Sequence, residues 1–468
     1  MSSPHTSNPI DPRNPPARTH MGTSPQNPWD VLIIGGGPAG LMASISAQET
    51  GAHTILVEKG LRLGRKLAIS GGGRCNVTNA KPLPEFMENV LGNPRFTFSA
   101  LHRFSNQDVQ SFFEVLGIQL KEEDRGRVFP VSDKAATVVH ALVDYAQSSG
   151  VTFLLETPVT EILSRKSQVC GVQTRDGPIW ARTVVVATGG CSVPQTGSSG
   201  DAYPWARQLG HRVVEPYPTE VPITSDTRWI TEKLLQGISL RDVTIQVRQD
   251  KKKVLTTERG DLLFTHFGLS GPVALRCSHY ISTALRKDAS HSLWAIIDTL
   301  PNTSVSELEA WLLAEKFTSS RRYLSTLLTQ RLPERLVDVV LEQAQCNGHQ
   351  PILQISDRII STVCQACKQL QVHIVGTLPL AKATVTGGGI ATQDINPRTM
   401  ESKRCEGLFF AGEVMDIHAH TGGYNITLAF STGHLAGQQA ALMALATPVP
   451  ENNCRDTGSD TQFRGLST

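Results

Sequence analysis

Four consecutive apolar residues, Val31, Leu32, Ile33 and Ile34, mark a strand covered on both faces, the pattern of a parallel sheet between helical layers. Gly35, Gly37 and Gly40 follow at G-x-G-x-x-G spacing, then a helix of small and apolar residues, then a short strand over 54–57 closed by Glu58. Helical periodicity over 135–148 leads into a strand over 151–155, and 183–187 is another apolar run, followed by Gly189 and Gly190. From about 210 to 276 short β-like runs alternate with turns, which predicts a small antiparallel unit; the 250–253 turn carries the basic run Lys251–Lys253 as a solvated tip. From 304 to 370 the periodicity becomes helical, with Ser304 placed as an N-cap. An apolar strand returns at 407–412, and 424–443 reads as a long helix rich in Ala and Gly. These elements predict an α/β fold whose nucleotide-binding sheet is completed by both ends of the chain. Its first part spans 29–209 and its second 372–446, with a β unit over 210–300 and a helical unit over 301–371 between them. Polar tails at 1–28 and 447–468 have little to bury and are expected to be disordered, with Met21 as an alternative start of translation.

The glycines carry the first chemistry. Gly35 permits a tight turn, Gly37 lets the backbone approach a pyrophosphate, and Gly40 lets helix and strand pack closely. The helix N-terminus then offers unpaired N–H groups and the positive end of its dipole to a diphosphate. Glu58, about 20 residues beyond the glycines, is placed to accept hydrogen bonds from a ribose diol. An acid there repels a 2′-phosphate, so the site suits FAD or NAD and not NADP. In 70–76, three glycines followed by Arg74 and Asn76 offer exposed backbone for a planar ring or a phosphate.

Composition narrows the class. The chain of 468 residues is 40% hydrophobic and holds 44 basic against 42 acidic residues, a net charge of +2 without a basic footprint for nucleic acid. Small-molecule partners are therefore expected, with no nucleic acid and no membrane, and oligomeric state left open. No stretch approaches ~18 uninterrupted apolar residues, and no secretion-signal pattern opens the chain, so a cytoplasmic location is expected. Nine cysteines spread over this length fit a reduced compartment, and no metal site is indicated. Cys364 and Cys367 form a C-x-x-C inside a helical pattern without a second pair, and are read as buried, unreactive thiols.

Six ordered blocks carry a resemblance: GRKLAISGGGRCNVTN from Gly64, VVVATGGCSVPQTGSSGDAY from Val184, GDLLFTHFGLSGPVAL from Gly260, ATVTGGGI from Ala383, TMESK from Thr399 and GLFFAGEVMDIHAHTGGYN from Gly407. Across nearly all the chain between its tails, the sequence resembles the bile-acid-reductase-like and aminoacetone-oxidase-like FAD-binding flavoproteins. The resemblance implies a glutathione-reductase-type Rossmann-like FAD domain, split by a β-barrel-like insertion and a small helical insertion, with noncovalent FAD. Ser70, Gly72, Gly73, Arg74, Cys75 and Asn76 are then placed against the flavin and ribityl chain, Arg74 either touching the cofactor or drawing an anionic substrate, and Cys75 read as a packed neutral thiol. Of Gly412, Glu413 and Asp416, Asp416 is the better fit to ribityl hydroxyls. Gly422, Gly423, Tyr424 and Asn425 open a helix toward the pyrimidine edge. Val159 borders adenine, and Thr188, Gly189 and Gly190 pass beneath the dinucleotide. Pro38 and Ala39 between the glycines, Lys59 after Glu58, Arg65 and Lys66 within the first block and Ile426 after the last complete the candidate cofactor site.

For substrate chemistry the candidates are His266, His418 and His420, with Tyr424 as a weaker one, because imidazole exchanges protons near neutral pH. The expected activity is transfer of a hydride between flavin N5 and a small organic substrate, in the first place NAD(P)H-linked reduction of a C=C bond conjugated to a carbonyl. No second complete G-x-G-x-x-G is present, so NAD(P)H would dock without a Rossmann domain of its own. The rivals are an aminoketone oxidase that hands electrons to oxygen, and an RNA-binding or redox-sensing flavoprotein.

Overall fold

A computed structural model describes residues 21–250 and 252–446; the predicted tails over 1–20 and 447–468, and Lys251 of the basic run, lie outside the described residues. The parallel sheet runs in the order Thr152–Leu154, Thr54–Val57, Trp29–Ile34, Gly177–Val186, with Leu408–Phe410 pairing in parallel beyond the last. Val31 sits opposite Thr183 and Val184 opposite Leu408, so strands from distant parts of the chain share one buried layer. Val31, Leu32, Ile33, Val184 and Val185 are buried without residual exposure, as their continuous apolar runs predict. Gln168–Thr174 and Val159–Arg165 extend the sheet in antiparallel fashion.

Residues 21–28, expected within the disordered tail, are ordered. Gly22 accepts a hydrogen bond from Trp180 N–H at 2.9 Å and donates to Asn27 O at 2.6 Å, and Met21 packs on the core. The pairing of Gly22 with the sheet edge, absent from any composition argument, holds this segment.

A second sheet, antiparallel, has the order Leu370–Ile374, Leu293–Asp298, Ser239–Gln249, Lys253–Phe264, Gly268–Ser270, Ile223–Thr224, Gly376–Thr377. The helices Val305–Thr318, Leu324–Leu328, Glu334–Gln343 and Asp357–Lys368 leave this sheet after Leu293–Asp298 and return to it at Leu370–Ile374, so the helical unit is nested within the β unit, and the strands Leu370–Ile374 and Gly376–Thr377 belong to the insertion's sheet. Ser304 caps Val305–Thr318 through a complete capping box with Glu307. Cys364 and Cys367 are fully buried in Asp357–Lys368, where burial pushes both thiols up to about 12. The ribbon formed by Val213–Thr219 and Val385–Ile390 joins the two units.

Two helices decide where the site lies. Pro38–Glu49 and Tyr424–Ala446 pack along their length, and small residues line the contact. A Cβ at Gly433 would lie 2.3 Å from Ala39 O, and one at Gly437 only 2.0 Å from Ala43 O. Ser46 Oγ adds a hydrogen bond to His434 O at 2.9 Å. Backbone therefore touches backbone at a spacing no larger residue permits. Ala favours a helix over Gly by about 1 kcal/mol, whereas overpacking costs about 1–3 kcal/mol. Because every atom a Cβ at Gly437 would meet is main chain of Ala43, Gly437→Ala is expected to lower stability in denaturant unfolding; an unchanged or raised midpoint would contradict this packing.

Candidate cofactor and substrate cavity

A cavity of about 980 Å³ opens where the two helices begin. At one end, Gly35 takes φ +105° and donates its N–H to Val57 O at 2.9 Å, turning the chain out of the first strand. Gly37 caps Pro38–Glu49 with no side-chain cap and no acid in the first turn, and the space its Cβ would occupy is empty to 4 Å. Gly40, outside the cavity lining, packs so closely that a Cβ would meet Gly35 O at 1.8 Å. Glu58 accepts from Gly36 N–H at 2.7 Å and Gly60 N–H at 2.8 Å, which fixes its carboxylate at the cavity wall. Lys59 pairs with Asp201 at 2.5 Å, Arg65 donates to Gln195 O at 2.5 Å, and Val159, Thr188 and Gly189 complete this end.

The Tyr424–Ala446 helix enters the same cavity with Gly422, Gly423, Tyr424, Asn425 and Ile426 in its lining. Gly423 has φ +96°, and a Cβ there would lie 2.2 Å from Thr78 O. Asn79 Nδ2 donates to Gly422 O at 2.9 Å, while the Asn76 amide, oriented to satisfy both its atoms, accepts from Gly423 N–H at 2.9 Å. The Ser70–Asn76 loop is thereby tied to the second helix start. Uncapped N–H groups of one helix, the start of another and a fixed carboxylate form a cradle that suits a diphosphate, a ribose diol and an anion-bearing ring, so the residues present fit FAD.

Several predicted residues play other parts. Asp416, expected to meet the ribityl chain, is not among the lining residues; its carboxylate accepts from Asn93 Nδ2 at 3.1 Å and its N–H donates to Ile390 O. Glu413 lines the cavity instead, held by Lys66 Nζ at 2.5 Å, Ser192 Oγ at 3.0 Å and Thr386 N–H at 2.7 Å. Burial alone would raise its pKa, but Lys66 and these donors hold it below the usual carboxylate range. Arg74 reaches the cavity wall yet is committed to Glu123 at 2.8 Å and lies 4.0 Å over the Phe129 ring. Cys75 is buried outside the lining, its thiol pushed up to about 12 by burial. Gly72 and Gly73 also lie outside the lining, as does Gly190, whose Cβ would meet Thr386 Oγ1 at 2.4 Å.

The histidines do not gather at the cavity. His266 is exposed on the turn between Lys253–Phe264 and Gly268–Ser270. His418 Nε2 lies 3.0 Å from His279 Nδ1, and burial pushes His418 down to about 3 and His279 to about 4. Both stay neutral near pH 7, which removes the reason for which His418 was singled out. His420 is buried with Nδ1 2.9 Å from Glu220 Oε1, and Glu220 Oε2 accepts from Thr421 N–H at 2.9 Å. Glu220 is itself fully buried at φ +51°, a left-handed conformation that strains a residue other than glycine. Tyr424 does line the cavity.

Residues that sequence reading missed come from the insertion. Arg276, in the helix Pro272–Lys287, and Glu258, in Lys253–Phe264, line the cavity and pair at 2.8 Å between Nε and Oε2. Arg276 lies one position beyond the block GDLLFTHFGLSGPVAL, the nearest signal that could have pointed to it. Glu220, in PTEVP, has no local signature at all.

Such a cradle is that of the FAD-dependent oxidoreductases built on a Rossmann-like nucleotide domain. Within that class the chain belongs to the family of the HI0933-like protein Rossmann domain, which matches residues 29–439. It is 32% identical over 419 residues to the ribosomal RNA dihydrouridine synthase of Escherichia coli (strain K12), covering 88% of this chain and 97% of that protein. A ribosomal RNA dihydrouridine synthase of Haemophilus influenzae is 32% identical over 408 residues, 86% of this chain and 96% of that one. The 3-dehydro-bile acid delta(4,6)-reductase of Clostridium scindens is 28% identical over 417 residues, 88% and 98% of the two chains. The protein is an enzyme, and among the described residues no helix is long and apolar enough to cross a membrane.

Acidification tests the buried acid. Burial would raise the Glu220 pKa, but His420 and the Thr421 N–H overcome it and hold the carboxyl below its ordinary value. A depressed folded pKa contributes stability above the unfolded value of about 4.3 and loses it as pH falls through the folded value. Unfolding midpoints are expected to drop below about pH 4, and Glu220→Leu to cost about 3–5 kcal/mol at neutral pH by leaving its partners unpaired. A variant as stable as the parent at pH 7 would contradict the pairing.

Proposed function

We propose that the protein is an FAD-dependent reductase that saturates a C=C bond conjugated to a carbonyl, with reduced nicotinamide as the electron source. FAD, when bound, supplies hydride chemistry. The observation that carries the reading is the second end of the cavity, where Arg276 and Tyr424 stand beside Asn89 and Thr421 at the start of the Tyr424–Ala446 helix. Adding hydride to a conjugated bond pushes negative charge onto the carbonyl oxygen, and a guanidinium in a partly buried wall stabilises charge there better than water does. A cationic amine substrate would meet the same guanidinium with repulsion, which disfavours the oxidase reading.

For the substrate we favour the uracil ring of ribosomal RNA, whose C5=C6 bond is conjugated to the C4 carbonyl. Two relatives at 32% identity carry that activity in their names and align over nearly their full length. Arg125 and Arg259, both exposed, the latter paired with Asp242, and the partly exposed Lys81 line the cavity, where a polynucleotide backbone would pass. This departs from the expectation of a small-molecule partner, which rested on a net charge averaged over the whole chain. A small conjugated enone is the second reading, supported by that near-neutral charge and by the bile-acid reductase relative.

Anaerobic protein loaded with FAD is expected to oxidise NADH or NADPH when given unmodified ribosomal RNA, with uridines gaining two hydrogens by mass spectrometry. Turnover of a soluble enone with no change in RNA would select the second reading. Hydrogen peroxide from an aminoketone, with neither conjugated substrate reduced, would overturn both.

A further inference from the structure

We propose that Arg276 is the residue that receives the carbonyl oxygen of the substrate, through its two terminal nitrogens, and that Glu258 is the positioning residue that aims them. The inference rests on the reductase reading and adds to it a named subsite for an oxyanion.

The five donors of a guanidinium have a fixed planar geometry. Nε is committed to Glu258 Oε2 at 2.8 Å, and Glu258 is mostly buried, with side-chain exposure of 11%. That bond fixes the plane. Nη1 and Nη2 both lie 3.5 Å from Asn89 Oδ1, the outer limit of a hydrogen bond, and among the described residues no carboxylate accepts a hydrogen bond from either of them. A purely structural arginine paired with a carboxylate would normally turn its fork to it in bidentate fashion. Here only Nε donates to the carboxylate, and the two terminal nitrogens are left to a cavity wall. Burial would lower the arginine's pKa, but Glu258 more than offsets it, so the group stays charged. Tyr424, also in the wall, is near enough for the Arg276 charge to act on its phenol, which places both groups at one end of the cavity.

The chemistry balances with these parts. As the β-carbon of the conjugated bond receives hydride, with reduced nicotinamide as the source of the electron pair, the displaced π electrons move to the carbonyl oxygen and rest on the Nη donors. A proton from water then adds to the α-carbon and the carbonyl re-forms.

A phenolate mimics such an oxygen anion without reacting, so 4-nitrophenol absorbance with the FAD-loaded protein is the probe. The parent is expected to bind it as the phenolate and to lower its pKa by about one unit or more. Arg276→Met should bind it about 10- to 100-fold more weakly, the loss of charge-assisted hydrogen bonds, and abolish the pKa shift. Arg276→Lys, which keeps the charge but loses the fork, should retain the shift with roughly tenfold weaker binding. It keeps the test decisive if the Met variant fails to fold. Glu258→Gln should bind severalfold more weakly with FAD content unchanged. Unaltered phenolate binding and pKa in either folded Arg276 variant overturns the inference. If the parent holds phenolate through Arg276 yet reduces no conjugated bond, the reductase reading fails and the subsite stands; if it reduces one and Arg276→Met does so at the parental rate, only the role of Arg276 falls.

Discussion

The main-chain contact between Pro38–Glu49 and Tyr424–Ala446, at Gly433 and Gly437, is the constraint on which the rest depends. Helices that meet through Ala and Gly approach more closely than helices that meet through Leu, and their first turns then open onto one small volume. Each N-terminus carries unpaired N–H groups and about half a positive charge. Two of them side by side repel each other, and neither a side-chain cap nor a first-turn acid relieves Pro38–Glu49. The arrangement is therefore built to be completed by something anionic. Glu58 and Glu413, both in the same wall, are fixed by backbone N–H groups and by Lys66, so they offer hydrogen-bond acceptors for hydroxyls rather than mobile countercharges.

The insertion supplies what the nucleotide domain lacks. Its sheet is antiparallel, its helices are nested between two of its strands, and it reaches the nucleotide domain through the ribbon Val213–Thr219 with Val385–Ile390. From it come Arg276 and Glu258, while Glu220, just past the ribbon, ties that crossing to His420 and Thr421 beside the second helix start. The cavity wall around Arg276 thus draws on both units, with Arg276 and Glu258 from the insertion and Asn89, Thr421 and Tyr424 from the nucleotide domain.

How much of this was legible follows from how local each signal is. Strand, glycines, helix, strand and acid over 29–58 lie within one βαβ unit, so spacing alone gave the dinucleotide site. Ser304 and Glu307 are a capping box three residues apart, equally local. Asp416 and Glu413 differ by three positions on one loop, and which of them faces the cavity depends on Lys66, Ser192 and Thr386, all remote in sequence. His418 was illegible for the same reason: it is packed against His279 and Tyr217, remote in sequence, and burial there keeps it neutral. Residues 21–28 looked like tail by composition because one backbone pairing with Trp180 leaves no compositional trace.

Hydrogen–deuterium exchange of the protein with and without FAD tests whether both helix starts enclose one ligand. FAD is expected to slow exchange together at two segments far apart in sequence, residues 35–42 and 422–428. Protection confined to the first segment, with the second exchanging as in the FAD-free protein, would contradict it.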